Sequence, residues 1–395
     1  MAKIECAICK EQIHAVQTHL KNHPEWTMEM YKDKYPDAPL LSDEAAQKIK
    51  EHEQTKLNMA GSVTAIASAR PMTSIKRPLN EVFGLGAAKA ALSARGQPIM
   101  ITTLGDAASD ILREQIPTED KRYIPDIDLL KNVIMGLELN MPVWLYGPAG
   151  VGKSSLPRYI AAKTHRPMLR VNHTINTEES HLVGQYVVEN IIDPVSKELR
   201  TITRWQDGPL PYAMKHGLLY LADEMDRCPP GPLSVYQAVL EGEPLYIKEA
   251  PPEHRLVKPH ANFRFVATGN TNGSGDETGI HQATLLQDAA TIERFSLVLK
   301  VEYMPAEQEI AIMMAQAGLV EADAKRLRDF CEQIRKGHPN DFSLTIGPRV
   351  AINIGKIGIA KGSFMAGVAL AFANRLPEVQ REAALSIAQR VFASA

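Results

Sequence analysis

Pro142-Val-Trp-Leu-Tyr146, followed at once by Gly147-Pro-Ala-Gly-Val-Gly-Lys153-Ser154-Ser155, is the stretch on which the fold turns. The first five residues are apolar and read as a buried strand, and the residues after Ser155 read as a helix. Between them every fixed position of G-x-x-x-x-G-K-[ST] is filled, in the strand-before, helix-after context the motif needs. Glycines let the backbone curl until several N–H groups point at the β- and γ-phosphates of a nucleotide. The helix N-terminus adds a partial positive charge. Lys153 supplies a mobile full charge and Ser154 a hydroxyl for Mg²⁺. The candidate nucleotide-contacting residues are therefore Gly147, Pro148, Ala149, Gly150, Val151, Gly152, Lys153, Ser154 and Ser155. Pro157 is an oddity, at or just past the first turn of the helix, where proline ceases to be harmless.

Binding phosphate is not hydrolysing it, and a second element is needed. Leu218-Leu-Tyr-Leu-Ala-Asp223-Glu224 is an apolar run ending in two carboxylates. Asp223 is placed to hold Mg²⁺ through its water shell, and Glu224 to orient and deprotonate the attacking water. A third run ends Phe265-Val-Ala-Thr-Gly-Asn270, where the amide either reaches the γ-phosphate or simply forms a turn. Strand signals at Pro142–Tyr146, Met168–Val171, Gly217–Ala222, Phe263–Thr268 and Ser296–Val301 alternate with helical stretches such as Leu129–Leu139. That alternation predicts an α/β fold, a parallel five-stranded sheet between helices. From Pro305 to Ala395 only helical periodicity remains, which predicts an all-helical lid.

Composition narrows the class further. Lys and Arg total 44 against 46 Asp and Glu, so no global basic field points to nucleic acid or an anionic membrane. No apolar run approaches the ~20 residues of a membrane span, and the start of the chain lacks a signal-peptide core. The expectation is a cytoplasmic protein without a membrane partner. Cys228 and Cys331 stand alone and read as small buried hydrophobes. Ala60–Ser74 is rich in Ala, Ser, Gly and Thr, and residues 42–122 are expected to form a flexible, partly helical linker. The expected order is a finger over 1–41, this linker, a large α/β domain over 123–303 and a helical lid over 304–395.

The finger is read from Cys6-x2-Cys9-x9-His19-x3-His23, two thiolates from a knuckle and two imidazoles one helical turn apart, a Zn²⁺ spacing. His14 is a rival ligand with poorer spacing. So small a unit buries little and needs its metal to fold. Its short middle resembles the prokaryotic Ros/MucR type of zinc finger. Within Met1–Tyr35, however, five Lys face four Glu and one Asp, and no Arg precedes Arg70. Arg is the commonest base reader and phosphate attraction carries most affinity, so protein docking or targeting is favoured, with DNA a possible partner.

The ordered set of motifs resembles the AAA+ ATPases of the MoxR-like branch, and within it the CobS subunits of aerobic cobaltochelatases. The resemblance runs through Glu81-Val-Phe-Gly, Tyr123-Ile-Pro-Asp126, Leu169-Arg-Val-Asn172, Asp207-Gly-Pro-Leu210, Gly275-Asp-Glu-Thr-Gly279, Glu293-Arg-Phe-Ser296 and Gly347-Pro-Arg349. It implies a P-loop AAA+ core and an ATP-hydrolysing motor. By that resemblance Asn270 is the first sensor, Arg294 an arginine finger completing a neighbouring subunit's site, and Arg349 the second sensor. Tyr123 and Ile124 line the adenine pocket. An arginine acting in trans implies a homo-oligomeric ring, expected to be a hexamer. Pro244–Pro259 matches a hairpin such proteins insert toward the ring face or pore. The family implies a partner with a von Willebrand A-type (VWA) domain. The finger is not part of the CobS pattern, so three clients stand side by side: a partner protein remodelled for a virus or mobile element, a corrin receiving Co²⁺, and DNA.

Overall fold

The computed structural model describes residues 3–47, 73–86, 91–93, 95–105, 110–192, 199–276 and 282–392. The five strands of its central sheet, numbered in chain order, are β1 (Val143–Tyr146), β2 (Met168–Asn172), β3 (Leu219–Asp223), β4 (Arg264–Gly269) and β5 (Leu297–Lys300). Their spatial order is β5-β1-β4-β3-β2, all parallel. The middle strands are the near-continuous apolar runs, because both of their faces are covered. Trp144, Tyr220, Ala222, Phe265 and Ala267 enter the core on one face, with the helix Pro209–His216 over them. Val143, Leu145, Leu219, Leu221 and Val266 enter the other, under the helices Ile127–Glu138 and Ser155–Lys163. Each such large side chain contributes roughly 1.5–3 kcal/mol on burial. The parallel register, Ala267 opposite Ala222 and Thr268 opposite Leu145, brings the carboxyl ends of β1, β4 and β3 to one edge.

Local chemistry sets the helix ends. Ile127–Glu138 begins two residues before the sequence expectation because the Asp126 side chain accepts from the Leu129 N–H at 2.9 Å. Pro157 proves harmless. The helix begins at Ser155, so Pro157 sits in its first turn, where the N–H has no intrahelical partner to lose, and its ring is buried.

Residues 48–72, which hold most of the Ala/Ser/Gly/Thr-rich stretch, lie outside the described residues. Beyond them the linker expectation needs correction. Ser74–Pro78 pairs antiparallel with Met100–Leu104, and the helix Leu79–Phe83 buries Leu79, Val82 and Phe83 in the α/β core. Glu138 ties the hairpin down, accepting from the Thr102 N–H at 2.6 Å and its hydroxyl at 2.8 Å. A five-residue helix is too short to show periodicity, so these anchors were invisible in sequence. The paired strands Gly184–Ile192 and Leu199–Asp207 were missed for a related reason. Most of their side chains are exposed, so no apolar-in, polar-out alternation marks them. Within Pro244–Pro259, Leu245–Tyr246 pairs with Leu256–Val257 around the short helix Pro252–Arg255.

The helices Ala306–Ala317, Glu321–Gly337, Pro348–Lys361, Phe364–Ala371 and Glu378–Phe392 share a separate core that includes Phe330, Ile354 and Phe372. Described by itself, the amino-terminal unit is a hairpin of Ile4–Glu5 and Gln12–Ile13, the helix Val16–His19 and the helix Met28–Lys34. Its core holds five buried residues, Cys6, Ile13, Val16, Leu20 and Tyr31. The unit runs slightly past residue 41, since Ser42 is buried and accepts from the Ala45 N–H at 3.2 Å. Among the described residues no helix is long and apolar enough to cross a membrane.

Candidate nucleotide-binding site

The loop between β1 and its helix is glycine-rich for steric reasons. Gly147 has φ +147°, and a Cβ there would lie 2.1 Å from the Val301 carbonyl oxygen. Gly152 has φ +100°, which side chains rarely adopt. Lys153 is buried and donates to the Gly147 carbonyl at 2.7 Å, the Pro148 carbonyl at 2.8 Å and Asn270 Oδ1 at 3.0 Å. Burial pulls its pKa down to about 8 against the opposing pull of Asp226, Asp223 and Glu224. The amide of Asn270 thus meets the loop lysine directly, and is not spent on a turn.

Ser154 Oγ donates to Asp223 Oδ1 at 2.6 Å, closing the distance between the loop and the tip of β3. Asp223 is deeply buried, which alone would raise its pKa. The hydroxyls of Ser154 and Thr268 and the guanidinium of Arg170 outweigh that and hold it below the usual carboxylate range. Arg170 reaches Asp223 Oδ2 from β2 at 2.6 Å. A hydroxyl and an ionised carboxylate side by side are the hard oxygen donors that suit Mg²⁺. Glu224 follows in a left-handed conformation, φ +53°, and its carboxylate meets Arg227 at 2.9 Å.

Asp226 is a residue the sequence reading missed. It is fully buried, and its Oδ2 accepts from the backbone N–H groups of Asn270 at 2.7 Å and Thr271 at 2.9 Å. The turn after β3 is thereby pinned to the loop after β4, and Asn270 is fixed by a residue two positions from Glu224. Thr268 was also missed: it bonds Asp223 and accepts from the Glu224 N–H at 3.1 Å. The D-E-x-D spacing and a hydroxyl two residues before Asn270 were the available signals, but neither is specific without the sheet register.

The lid belongs to the same compact unit as the α/β domain. A Cβ on Gly347 would lie 2.7 Å from the Ala149 carbonyl oxygen, so glycine alone permits this approach of lid to loop. Two residues on, Arg349 lines a cavity of about 810 Å³ with Gly147–Gly150 and Asn270. A second cavity of about 380 Å³ is walled by Tyr123, Val151, Leu156 and Tyr303. Burial raises the pKa of the Tyr123 phenol, which stays neutral at working pH. Ile124 is not on that wall, although Tyr123 is. Arg294 lines neither cavity; it caps the helix Ala289–Glu293 and its Nε donates to Glu241 Oε1 at 2.7 Å. Ser155 opens the helix, its N–H donating to the Gly152 carbonyl at 3.0 Å.

The family model for the AAA domain of the dynein-related subfamily matches residues 142–286, which contain the loop, the acidic tip and Asn270. The chain is an AAA+ ATPase. It is similar to the aerobic cobaltochelatase subunit CobS of Sinorhizobium sp., 29% identical over 70% of this chain and 83% of that protein. It is also similar to the gas vesicle ATPase GvpN of Ancylobacter aquaticus, 28% identical over 60% of this chain and 65% of the relative, just under two thirds. The protein CbbQ of Hydrogenophilus thermoluteolus is 27% identical over 56% of this chain and 75% of its own. Among solved structures, the RuvB Holliday junction branch migration motor of Thermotoga maritima matches 69% of this chain and 72% of that one, with TM-score 0.39 and 14% identity.

This AAA+ ATPase also gathers Cys6, Cys9, His19 and His23 so that one ligand atom from each lies within 4.8 Å of the others. Cys9 Sγ is 3.1 Å from His19 Nε2, and His23 Nε2 is buried without a hydrogen-bond partner. Two thiols, two imidazoles and an orphaned ring nitrogen fit a tetrahedral Zn²⁺ site. His14 stands outside the cluster, its Nδ1 3.1 Å from Ser42 Oγ, so the rival ligand is set aside.

Proposed function

We propose that this AAA+ ATPase works as a ring of identical chains, a hexamer, hydrolysing ATP at its subunit interfaces to remodel a protein partner. The observation that carries the reading is the placement of Arg294. It stands at a helix end, outside the two cavities described above, on a short tether to the half-exposed Glu241. An arginine so held suits a neighbour's γ-phosphate, where such a residue stabilises transition-state charge.

In this reading the loop N–H groups and Lys153 hold the β- and γ-phosphates, and Tyr123, flanked by Ile124, receives the adenine. Ser154 and Asp223 hold Mg²⁺, which when bound neutralises charge on the phosphates. Glu224 takes a proton from the attacking water, Asn270 senses the terminal phosphate, and Arg349 carries the nucleotide state to the lid. Cys6, Cys9, His19 and His23 hold Zn²⁺, and the charge-neutral finger docks protein. The similarity to CobS supports a motor that serves a VWA-domain subunit. The similarity to a cobaltochelatase subunit also supports a second reading, Co²⁺ insertion into a corrin, and the Cys/His cluster a third, a DNA-directed motor.

Mixing inactive Arg294→Ala with inactive Lys153→Ala tests the shared site: mixed rings are expected to regain part of the ATPase rate, and no recovery would sink the trans assignment. Capture from the native cell on ATP-loaded Glu224→Gln identifies the client. A VWA-type subunit without corrin proteins supports remodelling, corrin proteins the chelatase, and DNA released by salt the third reading.

A further inference from the structure

Arg375, we infer, is a second lid arginine for the terminal phosphate, working beside Arg349; the inference rests on the nucleotide-site reading above. The cavity of about 810 Å³ has the loop and Asn270 on one wall and the lid on the other. Its cations divide into two groups. Arg227 is paired with Glu224, Lys300 with Glu302, and Arg335 with Glu309 while stacking 3.9 Å over the Tyr303 ring. Arg349 and Arg375 have no ion pair or side-chain hydrogen bond among the described residues. Two uncommitted guanidinium groups thus line one cavity, and Asp276 is the one acid among its described lining residues, so the cavity favours an anion.

Arg375 is also well mounted for the task. It ends the turn Ala373–Arg375, whose neighbours Phe372, Ala373 and Leu376 are all buried, with the Arg375 N–H on the Phe372 carbonyl and the Leu376 N–H on the Ala373 carbonyl at 3.0 Å each. The backbone is therefore fixed while the side chain remains exposed to the cavity. A triphosphate carries about four negative charges, more than Lys153 and one Mg²⁺ neutralise together, and a guanidinium meets phosphate oxygens bidentately. Arg375 lines the same cavity as Asn270, from the opposite wall, and does not line the Tyr123 cavity, which places it at the γ end of the nucleotide.

The test is equilibrium binding of a slowly hydrolysed ATP analogue and of ADP to wild type, Arg375→Ala, Arg375→Lys and Lys153→Ala. Arg375→Ala is expected to weaken the triphosphate by about tenfold, the scale of one charge-assisted contact, and to leave ADP within about twofold. Arg375→Lys should restore part of the loss, since charge returns without the bidentate fork. Equal weakening of both nucleotides, or of neither, would overturn the assignment. Lys153→Ala should lose both nucleotides while wild type binds both. Wild type binding neither would overturn the nucleotide site itself, and the role of Arg375 with it.

Discussion

The phosphate site and the amino-terminal Cys/His cluster both gather polar side chains, yet they are held in opposite ways. In the first, Asp223 ends a strand whose residues are almost wholly buried, and Lys153, Thr268 and Asp226 are buried around it. The sheet and its helices fix each of these side chains before any ligand arrives. In the second, four ligands sit on a unit whose core has five buried residues, and Cys9 itself is exposed. On the zinc reading proposed above, the metal would supply there the rigidity that the sheet supplies elsewhere. One centre is organised by packing; the other has little packing to organise it.

Removing zinc should break this contrast most visibly. Structural Zn²⁺ contributes on the order of 10–16 kcal/mol in finger peptides, as much as or more than the burial of five side chains at roughly 1.5–3 kcal/mol each. A chelator, or Cys6→Ala, is expected to expose residues 3–42 to limited proteolysis while the ATPase rate changes by less than about twofold, as for an independent unit. A parallel loss of ATPase activity would show that the two centres are coupled.

Within the packed centre, Asp226 sharpens the comparison. Asp226→Ala leaves two backbone N–H groups unpaired, each costing about 1–3 kcal/mol, and frees Asn270. The turnover rate should fall by about 10- to 100-fold with ATP affinity within about threefold, a split that steady-state kinetics beside direct binding would reveal. An unchanged rate would mean that Asn270 is held by the sheet alone.

The smallest effect is on pH. The free site holds Lys153 with a pKa near about 8, below the ordinary lysine value, because of its burial. Below that pH the ammonium is present and binding phosphate takes up no proton. Above it binding must first protonate the lysine, so ATP affinity should decline by up to about tenfold per pH unit. Calorimetry in buffers of different ionisation enthalpy should show proton uptake above pH 8 and none near pH 6.5. Equal uptake at both would place the titration elsewhere.

Much of this was legible in the chain, for reasons that can be named. The runs Pro142–Tyr146, Gly217–Ala222 and Phe263–Thr268 are long and apolar because strands covered on both faces admit little else. Gly147 and Gly152 announce themselves because their backbone angles exclude side chains. Lys153 and Ser154 close the loop before a helix, and Asp223 and Glu224 lie at the tip of a strand, so linear motifs capture them. The four zinc-type ligands lie within eighteen residues of one another and are equally local.

What only the tertiary structure decided depends on register and on approach between distant segments. Arg170 and Thr268 reach Asp223 because β2 and β4 flank β3, and no spacing in the sequence encodes that. Asp226 looks like one more turn acid until the loop after β4 folds over it. Leu79, Val82 and Phe83 are three apolar residues in a supposed linker until the core receives them. Arg375 acquires a role only because the lid and the loop form opposite walls of one cavity. Sequence alone determined the chemistry that local backbone geometry can hold; the sheet order and the closing of lid on loop decided which distant residues share it, because electrostatic and hydrogen-bond partners are set by distance in space and not along the chain.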